Sequence, residues 1–145
     1  MDNGAITILT VPVFSTLCNA AFKLRHEVFI REQNVPPEIE NDDYDLTATH
    51  VVAIAGGDVV GTLRLVELPE HAKIGRVAVR SDWRRRGVAR LMLEHVMTEA
   101  RGRGQERFYL GAQLEALGLY EKLGFVAYGE VFTEAGILHR NMKTY

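Results

Sequence analysis

The sequence has a single cysteine, Cys18, among its 145 residues, so no internal disulfide can form. It also lacks any apolar run close to the roughly 20 residues that a membrane-spanning helix needs. Its first residues, MDNGAITILTVPVF, lack the basic segment that opens a secretory signal peptide. These absences argue against a secreted disulfide-stabilised protein and against a membrane protein. We therefore expect a cytoplasmic protein that is stabilised by an apolar core.

The chain also lacks a strong excess of one charge, because its formal net charge is −2. Binding to nucleic acid by bulk electrostatics is therefore not expected. Neither the dinucleotide fingerprint GxGxxG nor the phosphate-loop pattern GxxxxGK followed by serine or threonine occurs. No group of histidine, cysteine and acidic residues has the spacing of a metal site, so we expect no metal.

The periodicity of apolar residues predicts one sheet accompanied by helices. Helical spacing occurs over 14–31, 88–101 and 114–123, and strand-like runs cover 6–11, 49–55, 59–68, 73–79, 108–112, 125–128, 131–133 and 137–143. Pro36 and Pro37 are expected to end the first helix. The order of these elements predicts an α+β (mixed α/β) fold, and the length suits a single domain over 1–145.

The most unusual segment is SDWRRRGVARLML, residues 81–93, in which three arginines run into a glycine between a predicted strand and a predicted helix. The first N–H groups of a helix lack partners and carry partial positive charge. Gly87 has no side chain, so its backbone can approach an anion closely. The arginines add charge and forked donors. The segment therefore predicts a phosphate or diphosphate site, with a solvated basic helix start as the alternative.

The run GRVAVRSDWRRRGVARLML, residues 75–93, resembles the acetyl-CoA site of the GNAT superfamily of N-acetyltransferases. That superfamily carries Q/R-x-x-G-x-G/A at the start of a helix, and residues 84–89 match it as R-x-x-G-x-A. The segment LYEKLGF, residues 119–125, resembles the superfamily segment FYxKxGF, and the preceding YLGAQ agrees with it.

The first part of the chain resembles the ElaA/YjcF-like subgroup. The matching residues are Arg25, Val28, Phe29, Glu32, Gln33, Val35, Pro36, Glu40, Asp42, Asp45 and Ala48–Thr49–His50. The resemblance covers nearly the whole chain in the correct order. It implies a twisted mixed sheet flanked by helices, with strands 4 and 5 splayed and coenzyme A in the gap between them. Superfamily members are frequently dimers, so a homodimer is a candidate assembly.

The resemblance also implies how acetyl-CoA would be held. Backbone groups of Val77 and Val79 would pair with the pantetheine arm like an added strand, and the amides of residues 85–89 would hold the diphosphate. Gln113 would contact the acceptor or a pantetheine amide. The residues expected to bind acetyl-CoA are Val77, Ala78, Val79, Arg84, Arg85, Arg86, Gly87, Val88, Ala89 and Gln113.

The implied reaction is direct transfer of the acetyl group of acetyl-CoA to an amine in a ternary complex. The backbone N–H of Val77 would stabilise the oxyanion, and Tyr120 would donate to the leaving thiolate. A tyrosine that merely packs on Phe125 is the alternative for Tyr120. Superfamily members often use a glutamate on the strand before the arginine turn as the base, but that strand reads KIGRVAV here. The remaining candidates for the base are Glu32, Asp42, Asp43, His50 and His139.

Two other functions are weighed against this one. An acyl-CoA-binding sensor of the same fold with little catalysis fits the missing strand carboxylate. Nucleic-acid binding is the other alternative, but it would rely on the arginines of a single basic turn, and a nucleic-acid-binding protein usually has several basic elements. These arginines are Arg80, Arg84, Arg85, Arg86 and Arg90.

Several other side chains have structural interpretations. The acidic cluster would either attract a cationic acceptor or form a solvated loop; it comprises Glu38, Glu40, Asp42, Asp43 and Asp45. Arg76 is expected to pair with an acid, Trp83 to pack the arginine turn, and His95 to lie in the core or at its rim. Cys18 is not expected to act as a nucleophile.

Overall fold

The computed structural model describes residues 5–145. Within them, the strands are β1 (Thr7–Val11), β2 (Thr49–Ala55), β3 (Asp58–Glu67), β4 (Ala72–Val79), β5 (Phe108–Gln113), β6 (Val126–Glu134) and β7 (Ile137–Lys143). The α-helices are α1 (Thr16–Arg25), α2 (Pro37–Glu40), α3 (Val88–Gly102) and α4 (Leu117–Glu121). Single 3₁₀ turns lie at Asp43–Leu46, Ser81–Trp83 and Leu114–Ala116, and a π-helical segment follows α1 at His26–Glu32.

The strands form one mixed sheet in the order β1-β2-β3-β4-β5-β7-β6. Neighbouring strands are antiparallel except for β4 and β5, which are parallel and joined through α3. The two faces of the sheet are covered by different helices. Val51 and Ala53 of β2 share a core cluster with α3, whereas Val52 packs with Cys18 and Ala21 of α1. The predicted α+β class is therefore confirmed. No helix within residues 5–145 is both long enough and apolar enough to cross a bilayer.

The gap in the sheet lies between β4 and β5, which pair only where they begin. Ala72 lies opposite Phe108 and Lys73 opposite Tyr109, and beyond these two pairs the strands diverge. A bulge in β4 accompanies the divergence, since Arg76 and Val77 together lie opposite the single residue Leu63. A bulge bends its strand and increases the local twist. The predicted splaying of the fourth and fifth strands is confirmed.

The segment from α1 to α2 differs in detail from the predicted single helix and loop. The helix predicted over 14–31 ends as an α-helix at Arg25 and continues as a π-helical segment, in which the amide of Gln33 donates to the carbonyl of Val28, 3.1 Å away. This helical segment ends before Pro36, as predicted, and Pro37 also takes the first position of α2, where no N–H is needed.

The predicted β segments 125–128 and 131–133 are one strand, β6, interrupted by a bulge. Gly129 lies at the bulge with a φ of 73°, a left-handed conformation that glycine adopts without steric cost. The helix predicted over 114–123 is a 3₁₀ turn followed by the short α4.

The acidic segment is neither a solvated loop nor a free cation-binding surface at its central residues. Arg25 donates to Glu40 at 2.7 Å and to Asp45 at 2.7 Å, and it is only 2% exposed. Arg64 binds both Asp42 and Asp45, and Arg76 binds Asp42, as predicted for that arginine. Glu38 and Asp43 are exposed. Three arginines and three carboxylates therefore fix the segment 37–46 against the sheet.

Replacing Glu40 by glutamine is expected to lower the free energy of unfolding by about 3 kcal/mol, because it leaves the buried Arg25 with only part of its counter-charge. Glu40 is 4% exposed, so water cannot substitute for the lost carboxylate. Urea unfolding followed by circular dichroism measures the change. Glu38→Gln, at an exposed position of the same helix, is the matched control and should stay within about 0.5 kcal/mol of the parent. Equal effects of the two variants would contradict the importance of the buried pair.

Candidate functional site

A cavity of about 1150 Å³ opens where β4 and β5 diverge. Its wall is formed by β4 and β5, the arginine turn, α4, the π-helical segment and the β6–β7 hairpin. All residues predicted to bind acetyl-CoA line it except Arg86, and Tyr120 lines it as well. The predicted phosphate turn and the predicted acid therefore face one continuous space.

The arginine turn has the backbone of an anion-binding site. Arg85 and Gly87 adopt left-handed conformations, with φ of 63° and 80°, and Gly87 is the N-cap of α3. The first intrahelical bond runs from the amide of Leu91 to the carbonyl of Gly87 at 3.1 Å. The backbone amides that precede Leu91 have no carbonyl one turn earlier in the helix to donate to, as at the start of any helix. They border the cavity at Val88 and Ala89.

The side chains of the three consecutive arginines have three different environments. Arg84 donates to the carbonyl of Val79 at 2.9 Å and forms a two-pronged ion pair with Glu32, with both N–O distances at 3.0 Å. Arg85 lines the cavity. Arg86 stacks on Trp83, with its guanidinium carbon 4.7 Å from the ring centroid, and does not line the cavity. Trp83 packs the turn as expected. Arg85 therefore remains as the one side chain of the three that is free to meet an anion in this cavity.

Gly87→Ala is expected to weaken acetyl-CoA binding about tenfold. A Cβ at this position meets nothing within 4 Å, so the cost comes from the left-handed backbone, roughly 1–2 kcal/mol for a residue other than glycine. Relaxing that backbone turns the amides away from the cavity. Gly57→Ala is the matched control, because Gly57 has a φ of 82° and equally open surroundings in the β2–β3 turn. Calorimetry should find both variants destabilised and only Gly87→Ala impaired in binding; unchanged affinity would contradict the assignment.

Tyr120 is held by packing, and it lines the cavity. The residue is 7% exposed, and its ring meets Phe125 edge to face at a centroid distance of 5.9 Å. Within residues 5–145 its hydroxyl has no hydrogen-bond partner, and no unpartnered polar side-chain atom is sealed off from solvent. Burial raises the pKa of Tyr120 to about 12. The packing role foreseen as an alternative is real, and it leaves the O–H available to a ligand.

The far half of the gap is lined by β4. Ala78 is buried against Leu24 and Val28, while Val77 and Val79 are partly buried against the α3 side. The carbonyl of Val79 already accepts from Arg84. On this strand the Val79 carbonyl is therefore less available to a ligand than the groups around Val77.

A family model described as acetyltransferase (GNAT) domain matches residues 16–145. The chain belongs to the GNAT acetyltransferase family. The uncharacterized N-acetyltransferase YjcF of Bacillus subtilis (strain 168) is 35% identical over 123 residues, which cover 84% of this chain and 88% of YjcF. GNAT enzymes use a coenzyme A thioester as acyl donor, so acyl-CoA-dependent acyl transfer is the general activity of the family.

Solved structures agree with this assignment. An acyl-CoA N-acyltransferase from Pseudomonas aeruginosa matches with a TM-score of 0.83 and 31% identity, covering 97% of this chain and 99% of that one. Escherichia coli ElaA matches with a TM-score of 0.83 and 26% identity over the same shares. The predicted GNAT fold and the ElaA/YjcF-like subgroup are confirmed.

The five candidates for the general base of this GNAT chain differ sharply in position. Glu32 is bound to Arg84, Asp43 is exposed, and His50 is buried with its ring nitrogen bonded to the carbonyl of Asp45 at 2.8 Å. None of these three lines the cavity. Asp42 does, but the Arg64 guanidinium lowers the pKa of its carboxyl, which makes it a weak base.

His139 is the remaining candidate, and it lines the cavity. Its Nδ1 lies 2.7 Å from the carbonyl of Ile137. A carbonyl can only accept, so Nδ1 carries the proton and the neutral ring has its lone pair on Nε2. Phe132 stacks on the ring at 5.7 Å, and Glu134 lies 4.0 Å from Nε2. The ring is therefore oriented on both sides and has a basic nitrogen.

Some residues of the site were given no role in it from the sequence. The side-chain oxygen of Gln33 accepts a hydrogen bond from the side-chain nitrogen of Gln113 at 3.1 Å. This bond links the end of the π-helical segment to β5 across the cavity. Asn141 and Tyr109 share a 2.9 Å bond on the same face. Only the subgroup resemblance pointed to Gln33, and no linear pattern pointed to the other two, because they meet the site through the sheet register.

Two other predicted structural roles agree with the geometry. His95 lies at the rim of the core, 3.0 Å from the hydroxyl of Thr10. Cys18 is completely buried, and burial raises the pKa of its thiol, which disfavours a nucleophilic thiolate.

Proposed function

We propose that this protein is an N-acetyltransferase that moves the acetyl group of acetyl-CoA directly to an amine in a ternary complex. The observation that carries the proposal is that one cavity, at the gap between β4 and β5, is lined both by the turn at Gly87 and by Tyr120. The proposal treats residues 1–145 as one acetyltransferase domain, of which residues 1–4 lie outside the described part. It also includes a cytoplasmic location, supported by the lone cysteine.

The residues around the gap fit a coenzyme A thioester. The amides of residues 85–89 and the side chain of Arg85 would hold the diphosphate, and backbone groups around Val77 would pair with the pantetheine arm. The bulge at Arg76 and Val77 interrupts the regular ladder, so a backbone N–H there can point at a ligand. The N–H of Val77 is the proposed oxyanion donor.

Within this proposal, His139 is the general base. Its Nε2 takes the proton that the acceptor nitrogen loses as the new C–N bond forms. The C–S bond breaks, and the departing sulfur receives a hydrogen bond from Tyr120. Acid and base thus stand on different elements, α4 and β7, that line the same cavity.

The test has two stages. Isothermal titration with acetyl-CoA should give a micromolar or tighter dissociation constant, weakened in Gly87→Ala. Free thiol release is then followed with a panel of amines, which should include at least one acceptor that is turned over above the hydrolysis rate. Failure to bind acetyl-CoA overturns the proposal. Binding without turnover of any amine would favour the acyl-CoA sensor instead.

A further inference from the structure

Arg76 lies at the point where β4 bends away from β5, and its backbone is strained. It shares the bulge with Val77 and has a φ of 52°. A left-handed conformation costs a residue with a long side chain on the order of 1–3 kcal/mol, and such strain persists only where the surrounding structure enforces it. The fold therefore holds a charged side chain in a costly position at the edge of the cavity, which Arg76 lines.

One side of the Arg76 guanidinium is fixed by the segment 37–46. Nε donates to the carbonyl of Glu40 at 3.2 Å, and Nη2 donates to the carbonyls of Ile39 and Glu40, both at 3.0 Å. Nη2 also donates to Asp42 at 3.2 Å. These contacts orient the planar group and leave little rotational freedom to lose on binding a ligand.

The remaining terminal nitrogen of the Arg76 guanidinium, Nη1, forms no hydrogen bond with the segment 37–46. Within residues 5–145 no acceptor receives a hydrogen bond from Nη1 of Arg76. Because no unpartnered polar side-chain atom is sealed off in that part of the chain, Nη1 is accessible to solvent, and Arg76 lines the cavity. The carboxylate of Asp42 does not neutralise the group fully, since both of its oxygens already accept from Arg64 at 2.6 and 2.7 Å. Burial and the nearby Arg64 and Arg25 lower the pKa of Arg76, as expected for a cation with too little compensating charge.

We propose that Nη1 of Arg76 binds a carboxylate of the acceptor, so that the substrate class is a small amine that carries a carboxylate. Since Nε and Nη2 are already engaged, the contact would be a charge-assisted hydrogen bond from Nη1, which is stronger than one between neutral groups. Arg76 directly precedes Val77, the proposed oxyanion donor, so the carboxylate would lie within one side-chain length of the reacting centre. A compact acceptor such as an amino acid spans that distance. This inference rests on the proposed acetyltransferase function.

The experiment compares each of the common amino acids with its own carboxamide as acceptor, using thiol release to obtain kcat/KM. The parent protein should prefer the acids by about tenfold or more. Arg76→Gln should remove this preference mainly through KM, and Arg76→Lys should restore part of it. Arg80→Gln is the control, because Arg80 pairs with Asp82 and Asp58 outside the cavity. It should keep the preference.

Two further measurements separate the possible failures. Acetyl-CoA affinity of Arg76→Gln should stay within about twofold of the parent, and a large loss would mean that the variant is misfolded, in which case Arg76→Lys decides. Thermal shift of the coenzyme A complex with N-acetylated amino acids, against their amides, gives a readout that needs no turnover. Equal response to acids and amides, in a protein that binds acetyl-CoA, overturns the carboxylate subsite. Loss of acetyl-CoA binding in the parent would instead overturn the proposed function.

Discussion

Phenylalanine in place of Tyr120 is expected to slow acetyl transfer by about ten- to a thousand-fold, the range usual for acid catalysis. The substitution keeps the ring that packs on Phe125 and removes only the hydroxyl of a residue that lines the cavity. The departing thiolate then loses its one proposed hydrogen-bond donor. Binding of acetyl-CoA should stay nearly unchanged, because the phenol is needed when charge develops on sulfur.

The raised pKa of Tyr120 decides the kind of help that it gives. A phenol with a pKa of about 12 and a thiol near about 8.5 differ by roughly 3.5 units, so complete proton transfer is uphill by about 5 kcal/mol. Tyr120 is therefore expected to act as a neutral hydrogen-bond donor, with solvent delivering the final proton. Its raised pKa also keeps it protonated, so the rate should show no loss from tyrosine ionisation until the pH exceeds about 10.

Steady-state kinetics with any acceptor from the amine panel measures this effect, and calorimetry measures acetyl-CoA affinity alongside. Tyr128→Phe is the matched control, because Tyr128 lies on β6 and does not line the cavity. The control should keep the parental rate within about twofold. An unchanged kcat in Tyr120→Phe would remove this residue from the mechanism.

Glutamine in place of His139 is expected to lower kcat/KM by about a hundred- to ten-thousand-fold at neutral pH, since it removes the only candidate base that both lines the cavity and keeps a free basic nitrogen. The acceptor must be neutral to attack, and the excess proton then has no nearby receiver. The loss should shrink as the pH approaches the pKa of the acceptor amine, because more acceptor is then already deprotonated.

The pH profile distinguishes a base from a residue that only shapes the pocket. If His139 is the base, the ratio of kcat/KM between the parent and His139→Gln should fall as the pH rises toward the pKa of the acceptor amine, whereas a packing role would lower the whole profile evenly. His95→Gln is the control, because His95 bonds to Thr10 and does not line the cavity. A ratio of parent to His139→Gln that does not change with pH would contradict the role of His139 as the base.

Features encoded by neighbours in sequence could be predicted. The strand Thr49–Ala55 and the helix that begins at Val88 coincide with their apolar patterns, and Gly87 marks the turn because its left-handed backbone favours glycine. The resemblance then located the gap between the fourth and fifth strands. These features depend on local periodicity or on one residue type at one position.

Features that depend on distant partners could not be predicted. The carboxylates of Glu40 and Asp45 looked solvated, because nothing local indicates that Arg25 lies buried beside them. The base could not be chosen among five candidates, because only the register of β7 against β5 brings His139 opposite Gln113. The different fates of Arg84 and Arg86 likewise follow from Glu32 and Trp83, which meet them through the fold and the turn.

Arg84 binds both Glu32 and the carbonyl of Val79, and this shared contact couples the positions of the elements that carry them. One guanidinium connects the arginine turn, the last residue of β4 and the last residue of the π-helical segment. A displacement of any one of these three elements is therefore expected to strain the contacts of Arg84 with the other two. Because the Arg84–Glu32 pair is partly exposed, we expect this coupling between the two walls of the cavity, the arginine turn and the π-helical segment, to be modest.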